Sequence, residues 1–195
     1  QLLKFINSGL WDFIVDAPDY EALAGELRWI FRKPSAYISN GLLTLVHTVR
    51  VSVASYFIAK DYFKVNTSAK ASVKISYLGP NFTSRFLKKT EQDVPRAELK
   101  AHRLRKASPD SPIIVELGEN YEVMLAYLWE LLTKQPNGEG GMLLTNGYAN
   151  IFYIRDTEGI LWAVGAGWDN GGWRVEADSI QDPDGWGDGY QVFAR

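Results

Sequence analysis

The sequence predicts an α+β fold in which a C-terminal antiparallel β-meander of about four to five strands packs against helices. Residues 141–195 alternate short strand-like runs with turn residues, and they carry four of the chain's seven tryptophans. Residues 120–134, directly before them, place apolar side chains at helical spacing. Because 46% of the residues are hydrophobic, such a fold can bury a sizeable core.

The length of 195 residues fits one large domain or a small domain with an appendage. We predict a mainly helical N-terminal segment, residues 1–58, and an α+β domain, residues 59–195, although the two could form one continuous domain. The chain contains no cysteine, which excludes disulfides, thiolate metal sites and cysteine nucleophiles and is compatible with a reducing compartment. We expect no cofactor.

Two stretches of the N-terminal segment favour helices. Leu23, Leu27 and Ile30 recur at helical spacing after Asp19, which can cap the helix, and Pro34 ends it.

The apolar run 42–58 also fits one helical face, although Val49, Val51 and Val53 alternate as a strand would. We favour the helix. His47 and Arg50 interrupt the run, so we expect it in the core and not in a membrane.

The middle of the chain contains shorter elements. Ser72–Leu78 alternates as a strand does, and Asn81 can cap a short helix that carries Phe82 and Phe86. We interpret 92–95 as a loop, leave 99–106 open between strand and helix, and expect a break between Pro109 and Pro112.

The strongest helix pattern begins at Asn120, the predicted cap, with Glu122 in its first turn. Its apolar stripe is Val123, Tyr127, Leu128, Leu131 and Leu132. We expect this stripe to pack on the meander.

The predicted strands of the meander are Met142–Thr145, Tyr148–Arg155, Ile160–Trp168, Trp173–Ser179 and Tyr190–Ala194. Asn146-Gly147 is the strongest hairpin signal, because both residues tolerate positive φ. A second turn is predicted at Asp169-Asn170-Gly171-Gly172, between the third and fourth strands. In the third strand, Trp162, Val164, Ala166 and Trp168 share one face, and Leu161, Ala163, Gly165 and Gly167 share the other. The face with small residues leaves room for another group to approach the strand closely, and we expect that group to be a packed helix.

Charge is unevenly distributed along the chain. Residues 60–106 hold twelve basic and four acidic side chains, a net charge of +8, and residues 107–195 hold four basic and fourteen acidic ones, a net charge of −10. The basic segment suggests nucleic-acid binding, or the two halves attract each other when folded. The candidate contacts are Lys74, Arg85, Lys88, Lys89, Lys100, Arg103, Arg105 and Lys106.

The loop at 182–189 partly matches a calcium-binding loop. Asp182, Asp184 and Asp188 place oxygen donors at positions 1, 3 and 7, but position 12 is Phe193 where such a loop has a bidentate Glu. A turn stabilised by Asx hydrogen bonds explains the same residues.

No catalytic residue is predicted, because the chain lacks the recognisable hydrolase, metalloprotease and nucleotide-binding motifs. His47 is expected in the core and His102 on the surface. Trp162, Trp168, Trp173 and Trp186 could form an aromatic platform for a sugar, peptide or base, but a tryptophan on a sheet is more often part of the core.

Four motifs resemble a group of uncharacterised bacterial proteins with no assigned activity: Lys74–Gly79, Leu143–Gly147, Asn150–Tyr153 and Asp188–Phe193. The resemblance covers residues from about 59 to 195. It implies a bacterial, cytosolic origin and carries over no functional residue.

The first functional hypothesis is a non-enzymatic module that binds a partner, another macromolecule, through its Trp-rich sheet or its basic segment. The alternatives are a nucleic-acid-binding protein that uses residues 60–106 and a metal-assisted hydrolase that uses the Asp182–Asp188 loop. A structural or regulatory domain that needs a preceding segment or a second copy of the chain is a further alternative. No membrane partner is expected.

Overall fold

The computed structural model describes residues 41–52 and 54–195. The helix predicted between Asp19 and Pro34 therefore lies outside the described residues. Residues 41–195 form one compact unit with an α+β fold, as the sequence predicts, and it contains four α-helices and a seven-stranded sheet within the described ranges.

The strands are β1 (Leu43–Val51), β2 (Ala54–Ile58), β3 (Ile75–Leu78), β4 (Thr90–Val94), β5 (Ala97–Leu104), β6 (Asn150–Arg155), β7 (Leu161–Asp169), β8 (Gly172–Ser179) and β9 (Gln191–Ala194). The helices are α1 (Ala59–Tyr62), α2 (Pro80–Phe86), α3 (Asp110–Leu117) and α4 (Leu125–Thr133), and a 3₁₀ turn covers Gly118–Asn120.

The large sheet has the order β1-β5-β9-β6-β7-β8-β3, and β2 pairs with β4 in a separate sheet. Strands β6, β7 and β8 form the predicted meander with antiparallel pairing. The last strand, β9, does not continue it: β9 pairs antiparallel with β5 and parallel with β6. Since β3 also pairs parallel with β8, the prediction of a purely C-terminal, antiparallel sheet is wrong in this detail.

The helix favoured for residues 42–58 is wrong, because this run forms β1 and β2. The alternation of its β-branched residues was the better guide: Val49 and Val51 both face the main core, opposite Leu99 and Ala97 of β5. A bulge between Leu45 and His47 shifts the pattern of β1, which obscures the alternation in the sequence. Val53, the third residue of that pattern, is outside the described residues.

The predicted helix over 120–134 is present but begins at Leu125. Asn120 does not cap it; the cap is the carboxylate of Glu91, which accepts hydrogen bonds from the backbone N–H groups of Leu125 and Ala126, both at 2.9 Å. Glu91 belongs to β4, which extends to Val94 and so overlaps the loop predicted for 92–95. That prediction is wrong because β4 pairs with β2, a partner far away in sequence.

Two further local predictions need correction. The predicted break between Pro109 and Pro112 is helix α3, in which Pro112 occupies the first turn, where a backbone N–H has no helical partner in any case. The predicted strand Met142–Thr145 is an irregular segment.

Side chains replace a neighbouring strand in that irregular segment. Gln135 accepts from the N–H of Leu143 at 2.7 Å, and Asn150 accepts from the N–H of Leu144 at 2.8 Å. No strand directly precedes Asn146-Gly147, so it closes no hairpin. The turn predicted at 169–172 does join β7 to β8, and Asn170 and Gly171 both have positive φ, 52° and 75°.

The stripe of α4 packs on the meander, as expected. Leu128, Leu131 and Leu132 share the main core with Val164 and Ala166 of β7. On the opposite face of the sheet, a smaller core joins Ile113 of α3 to β5, β6, β7 and β9. In the part of the chain that the structure covers, no helix has the length and apolarity needed to cross a membrane.

Candidate ligand-binding site

The site lies on the face of β7 that the sequence marks as small. Ala163, Gly165 and Gly167 of β7 pair directly with Asp178, Glu176 and Arg174 of β8. Directly paired residues project to the same face of a sheet. The glycines therefore leave an open floor beside three charged side chains.

A cavity of about 430 Å³ lies over Gly165 and Gly167. The sequence predicts a packed helix on this small face. The walls of the cavity include Trp186 and Tyr190 from the segment before β9, and Asp169 at the end of β7. Helix α3 packs farther along this face, where Ile113 joins Ile151 and Val192 in the smaller core. The size lies within the range of small-ligand pockets.

Trp186 is fixed by contacts on both its backbone and its ring. Its backbone N–H and C=O form a reciprocal pair of hydrogen bonds with Ser108, at 2.8 and 3.0 Å. Its indole Nε1–H donates to Asp110 Oδ1 at 2.7 Å. The ring passes close over the floor, because a Cβ added at Gly165 would lie 3.4 Å from it.

The preceding residue, Gly185, allows this clamp. Its φ is +62°, and a Cβ there would lie 2.7 Å from the backbone of Ser108 and Pro109. Glycine is required on both grounds, since other residues disfavour this φ and the added atom would collide with backbone.

Trp186 and Tyr190 line the cavity, and the ring of Tyr148 packs against Tyr190 beside it. The ring centroids of Trp186 and Tyr190 are 6.0 Å apart, and those of Tyr190 and Tyr148 are 5.5 Å apart. Tyr148 is exposed. We call Tyr148, Tyr190 and Trp186 the aromatic rim.

The charged groups of the cavity are three carboxylates and one guanidinium. Arg174 donates to Glu176 Oε1 at 3.1 Å, and its guanidinium lies 4.6 Å from the ring centroid of Tyr77. Burial raises the pKa of Asp178, and the neighbouring charges of Glu176, Asp182 and Asp110 raise it further. The residues that line the cavity carry a net formal charge of −2, because Arg174 is the one basic residue among them and three are acidic: Asp169, Glu176 and Asp178.

A smaller cavity of about 160 Å³ adjoins the first, because Asp178 and Trp186 line both. Asp110, only 2% exposed, lies in its wall and accepts a hydrogen bond from the Tyr153 hydroxyl at 2.7 Å as well as from Trp186. Burial raises the pKa of Asp110 despite these two donors. Burial and the adjacent Asp110 also raise the pKa of Tyr153, so Tyr153 remains the proton donor of the pair.

The structure divides the residues of the predicted metal loop. Asp182 and Asp184 line the smaller cavity, but Asp188 lines neither cavity. Asp182 Oδ1 accepts from the backbone N–H of Asp184 at 3.0 Å, which is the Asx hydrogen bond of the alternative interpretation. Within residues 41–52 and 54–195, no group of three or more His, Cys, Asp or Glu side chains is arranged to hold a metal ion.

The basic residues proposed to bind nucleic acid lie in several parts of the fold, and three of them contact other groups of the protein. Arg85 pairs with Glu158 at 2.8 Å, Lys89 lies 3.7 Å from Glu91, and Arg103 donates to the Gly189 carbonyl at 3.1 Å.

Lys100 lies with Arg103 on β5, and exposed Arg105 and Lys106 directly follow that strand. Half-buried Lys74 precedes β3, and Lys88 follows α2. In the sheet, β5 and β3 are separated by β9, β6, β7 and β8.

The four tryptophans of the meander do not form one platform. Trp173 is fully buried, and Trp162 and Trp168 pack against the main core, on the face opposite Trp186. The expected places of the two histidines are reversed: His47 is exposed on β1, and His102 is half-buried, with a pKa lowered by burial and by Lys100.

Sequence reasoning identified the glycine floor but missed the charged residues beside it, Arg174, Glu176 and Asp178. The three charged residues alternate along β8, and a tight turn at 169–172 pairs them with the small residues of β7. That pairing is the signal in the sequence that could have located them. Asp110 has no such signal, because its contacts with Tyr153 and Trp186 span 43 and 76 residues of sequence. Comparisons of the chain with models of known protein families, with curated proteins and with solved structures gave no match.

Proposed function

We propose that the protein is a non-enzymatic binding module that recognises a group on another macromolecule, and that the cavity over Gly165 and Gly167 is its ligand site. The observation that carries this proposal is the combination of an open glycine floor with a wall, Trp186, that the protein holds in place by itself. A wall formed before binding reduces the ordering cost that association has to overcome.

Filling the floor tests the proposal. A Cβ at Gly167 meets only the Tyr148 carbonyl oxygen, at 4.0 Å, so the backbone tolerates a side chain there, and Gly167→Leu extends one into the cavity. Gly140→Leu is the matched control, because no atom lies within 4 Å of an added Cβ there and Gly140 lines neither cavity. A protein-observed NMR screen of a small fragment library would then be run on the isotope-labelled protein and on both variants.

We expect fragments that shift the Trp186 indole N–H signal to bind the protein and Gly140→Leu alike, and to lose binding to Gly167→Leu. Fragments that bind all three proteins equally, or no fragment that affects Trp186, would refute the cavity as the ligand site.

Nucleic-acid binding through residues 60–106 is a second candidate, and the exposed run at the end of β5, with Arg105 and Lys106, is the observation that favours it. Phosphate contacts predict an affinity that falls steeply with salt, with a slope of about −0.7 per contact for single strands. This candidate would be excluded if the affinity for single-stranded RNA did not change between about 50 and 200 mM salt.

A hydrolase that uses the Asp182–Asp188 loop is a third candidate. It is favoured by the neighbouring Asp110 and Asp178, whose raised pKa values are typical of carboxyl groups that act as acids. If a metal assists, saturating Ca²⁺, Mg²⁺ or Mn²⁺ should stabilise the folded protein by roughly 1.4–4 kcal/mol. An unchanged melting temperature at millimolar metal would exclude the metal-assisted reaction.

We further propose a cytoplasmic location in a bacterial cell. This rests on the resemblance of residues 59–195 to a bacterial group and is tested by fractionating cells that express the tagged chain.

A further inference from the structure

Negative charge collects around the proposed ligand site. Arg174 is the one cation among the described residues that line the larger cavity, and it is already engaged by Glu176 and by the ring of Tyr77. Asp169 and Asp178 therefore have no cationic partner in that cavity. Uncompensated carboxylates repel each other, and a bound cation would relieve this repulsion.

The smaller cavity adds to the negative electrostatic potential around the larger one. Asp110, Asp182 and Asp184 lie beside Asp178 in its wall, and no Lys or Arg of the described chain lines it. A phosphate, sulfate or carboxylate ligand would enter against this charge. A neutral sugar could stack on Trp186 and donate hydroxyl hydrogen bonds to the carboxylates, but it would leave their charge uncompensated.

The aromatic rim supplies the other half of a cation site. The faces of Trp and Tyr rings attract ammonium and guanidinium groups, by about 0.5–1 kcal/mol at exposed sites and more where water is displaced. The protein already uses this chemistry next to the cavity, since the Arg174 guanidinium lies on the Tyr77 ring while it pairs with Glu176. Trp186 and Tyr190 offer a second guanidinium the same combination of a ring and nearby carboxylates.

We infer that the cavity accepts the cationic end of an arginine or lysine side chain from a partner protein. This inference rests on the proposed function and names its ligand. The exposed ring of Tyr148 packs against Tyr190 of the cavity wall and gives the flanking peptide a surface to pack on, which favours a side chain on a polypeptide over a free amine.

The test is a titration at low salt, followed by the NMR signal of the Trp186 indole. The probes are an acetylated and amidated Gly-Arg-Gly peptide, the same peptide with lysine, the same peptide with citrulline, free methylguanidine, and a neutral disaccharide. Citrulline matches arginine in shape but carries no charge. We expect the arginine and lysine peptides to bind about tenfold or more tightly than the citrulline peptide.

Two charge variants locate the binding. Asp178→Asn removes a carboxylate of the cavity, and Asp188→Asn removes one from the same segment of chain that lines neither cavity. We expect Asp178→Asn to weaken the arginine peptide about fivefold and Asp188→Asn to leave its affinity unchanged. Circular dichroism confirms that both variants are folded, and Asp169→Asn serves as a second cavity variant.

The outcomes separate the two levels of the proposal. Equal affinity for arginine and citrulline peptides, or a preference for the disaccharide, would overturn the cation inference while leaving a ligand site that Gly167→Leu still blocks. Methylguanidine binding as tightly as the arginine peptide would overturn the protein partner. If no probe and no fragment affects Trp186, the proposed function fails together with the inference.

Discussion

At the scale of single residues, Glu91 shows how one buried carboxylate connects two elements. It lies on β4, it is 5% exposed, and both of its oxygens accept from the first N–H groups of α4. Those N–H groups have no partner within the helix, and the helix dipole favours a negative charge there. Glu91 therefore caps α4 and joins it to the β2–β4 sheet.

We predict that Glu91→Gln lowers the free energy of unfolding by about 1–3 kcal/mol, because the charge that the helix end favours is lost and one buried N–H loses its acceptor. Urea unfolding measures the change. Glu98→Gln is the control, since Glu98 is exposed and its pairing with Arg50 at 3.5 Å is a surface contact worth under about 1 kcal/mol. Equal losses in the two variants would contradict the capping role.

Asp178 gives a second prediction at this scale, on pH. Its pKa is raised in the folded state, so the folded protein binds more protons than the unfolded chain between the ordinary pKa of about 3.9 and the raised one. In that interval its contribution to stability falls as the pH rises, and the ionised carboxylate opposes folding at neutral pH. The charged groups around it are Glu176 and Arg174 of β8, Asp110 of α3, and Asp182 of the following loop.

We therefore expect Asp178→Asn to stabilise the protein at neutral pH by roughly 0.5 kcal/mol, a small gain because the side chain is partly solvated. The gain should disappear as the pH falls toward about 3.9. Thermal unfolding across this range checks it, and a constant difference at all pH values would show another cause. The same substitution is expected to weaken ligand binding, so the carboxylate is explained by function and not by stability.

At the scale of elements, the β7–β8 hairpin was predictable from the sequence because its information is local. The alternation of Trp162, Val164, Ala166 and Trp168 identified the core face correctly, and the turn at 169–172 joined the right strands. The start of α4 was not predictable, because its cap comes from Glu91, 34 residues upstream of Leu125. For the same reason β1 resembled a helix, since its partner β5 is distant in sequence.

The hairpin turn carries a prediction of its own. Gly171 has φ +75°, and a non-glycine residue in this left-handed region costs about 1–2 kcal/mol. Gly171→Ala should therefore lower the free energy of unfolding by about 1 kcal/mol. Gly140→Ala, at an open position without positive φ, should be neutral or slightly stabilising. Chemical denaturation compares the two, and an unchanged Gly171→Ala would contradict the turn geometry.

At the scale of the whole molecule, the charge asymmetry of the sequence reflects how the two halves meet. Arg85 of the basic half lies 2.8 Å from Glu158 and 3.9 Å from Asp156 of the acidic half. Arg103 binds the loop before β9. Part of the basic segment thus faces the acidic half of the chain, which is the attraction that the sequence offered as an alternative to nucleic-acid binding.

The pairing of β1 with β5 gives a prediction for the position of the domain boundary. A chain of residues 59–195 lacks β1 and β2, so the ladders of β5 and β4 each lose a partner, and Val51 and Phe57 leave the main core. We expect this chain to aggregate or unfold, because it exposes unpaired strand edges and apolar surface. A chain of residues 41–195 keeps these strands and should unfold in one cooperative transition.

Calorimetry and size-exclusion chromatography distinguish the two chains. A well-folded monomer of residues 59–195 would show that β1 and β2 are dispensable.

The position of β9 has a consequence for the order of events during synthesis. In the sheet, β9 lies between two groups of strands: β1 and β5 are on one side, and β6, β7, β8 and β3 are on the other. In the chain, β9 comes after all of them. On the ribosome, the two half-sheets must wait with open edges until β9 emerges and joins them. Such late, long-range closure slows folding and prolongs exposure to misassembly, so we expect the nascent chain to depend on chaperones.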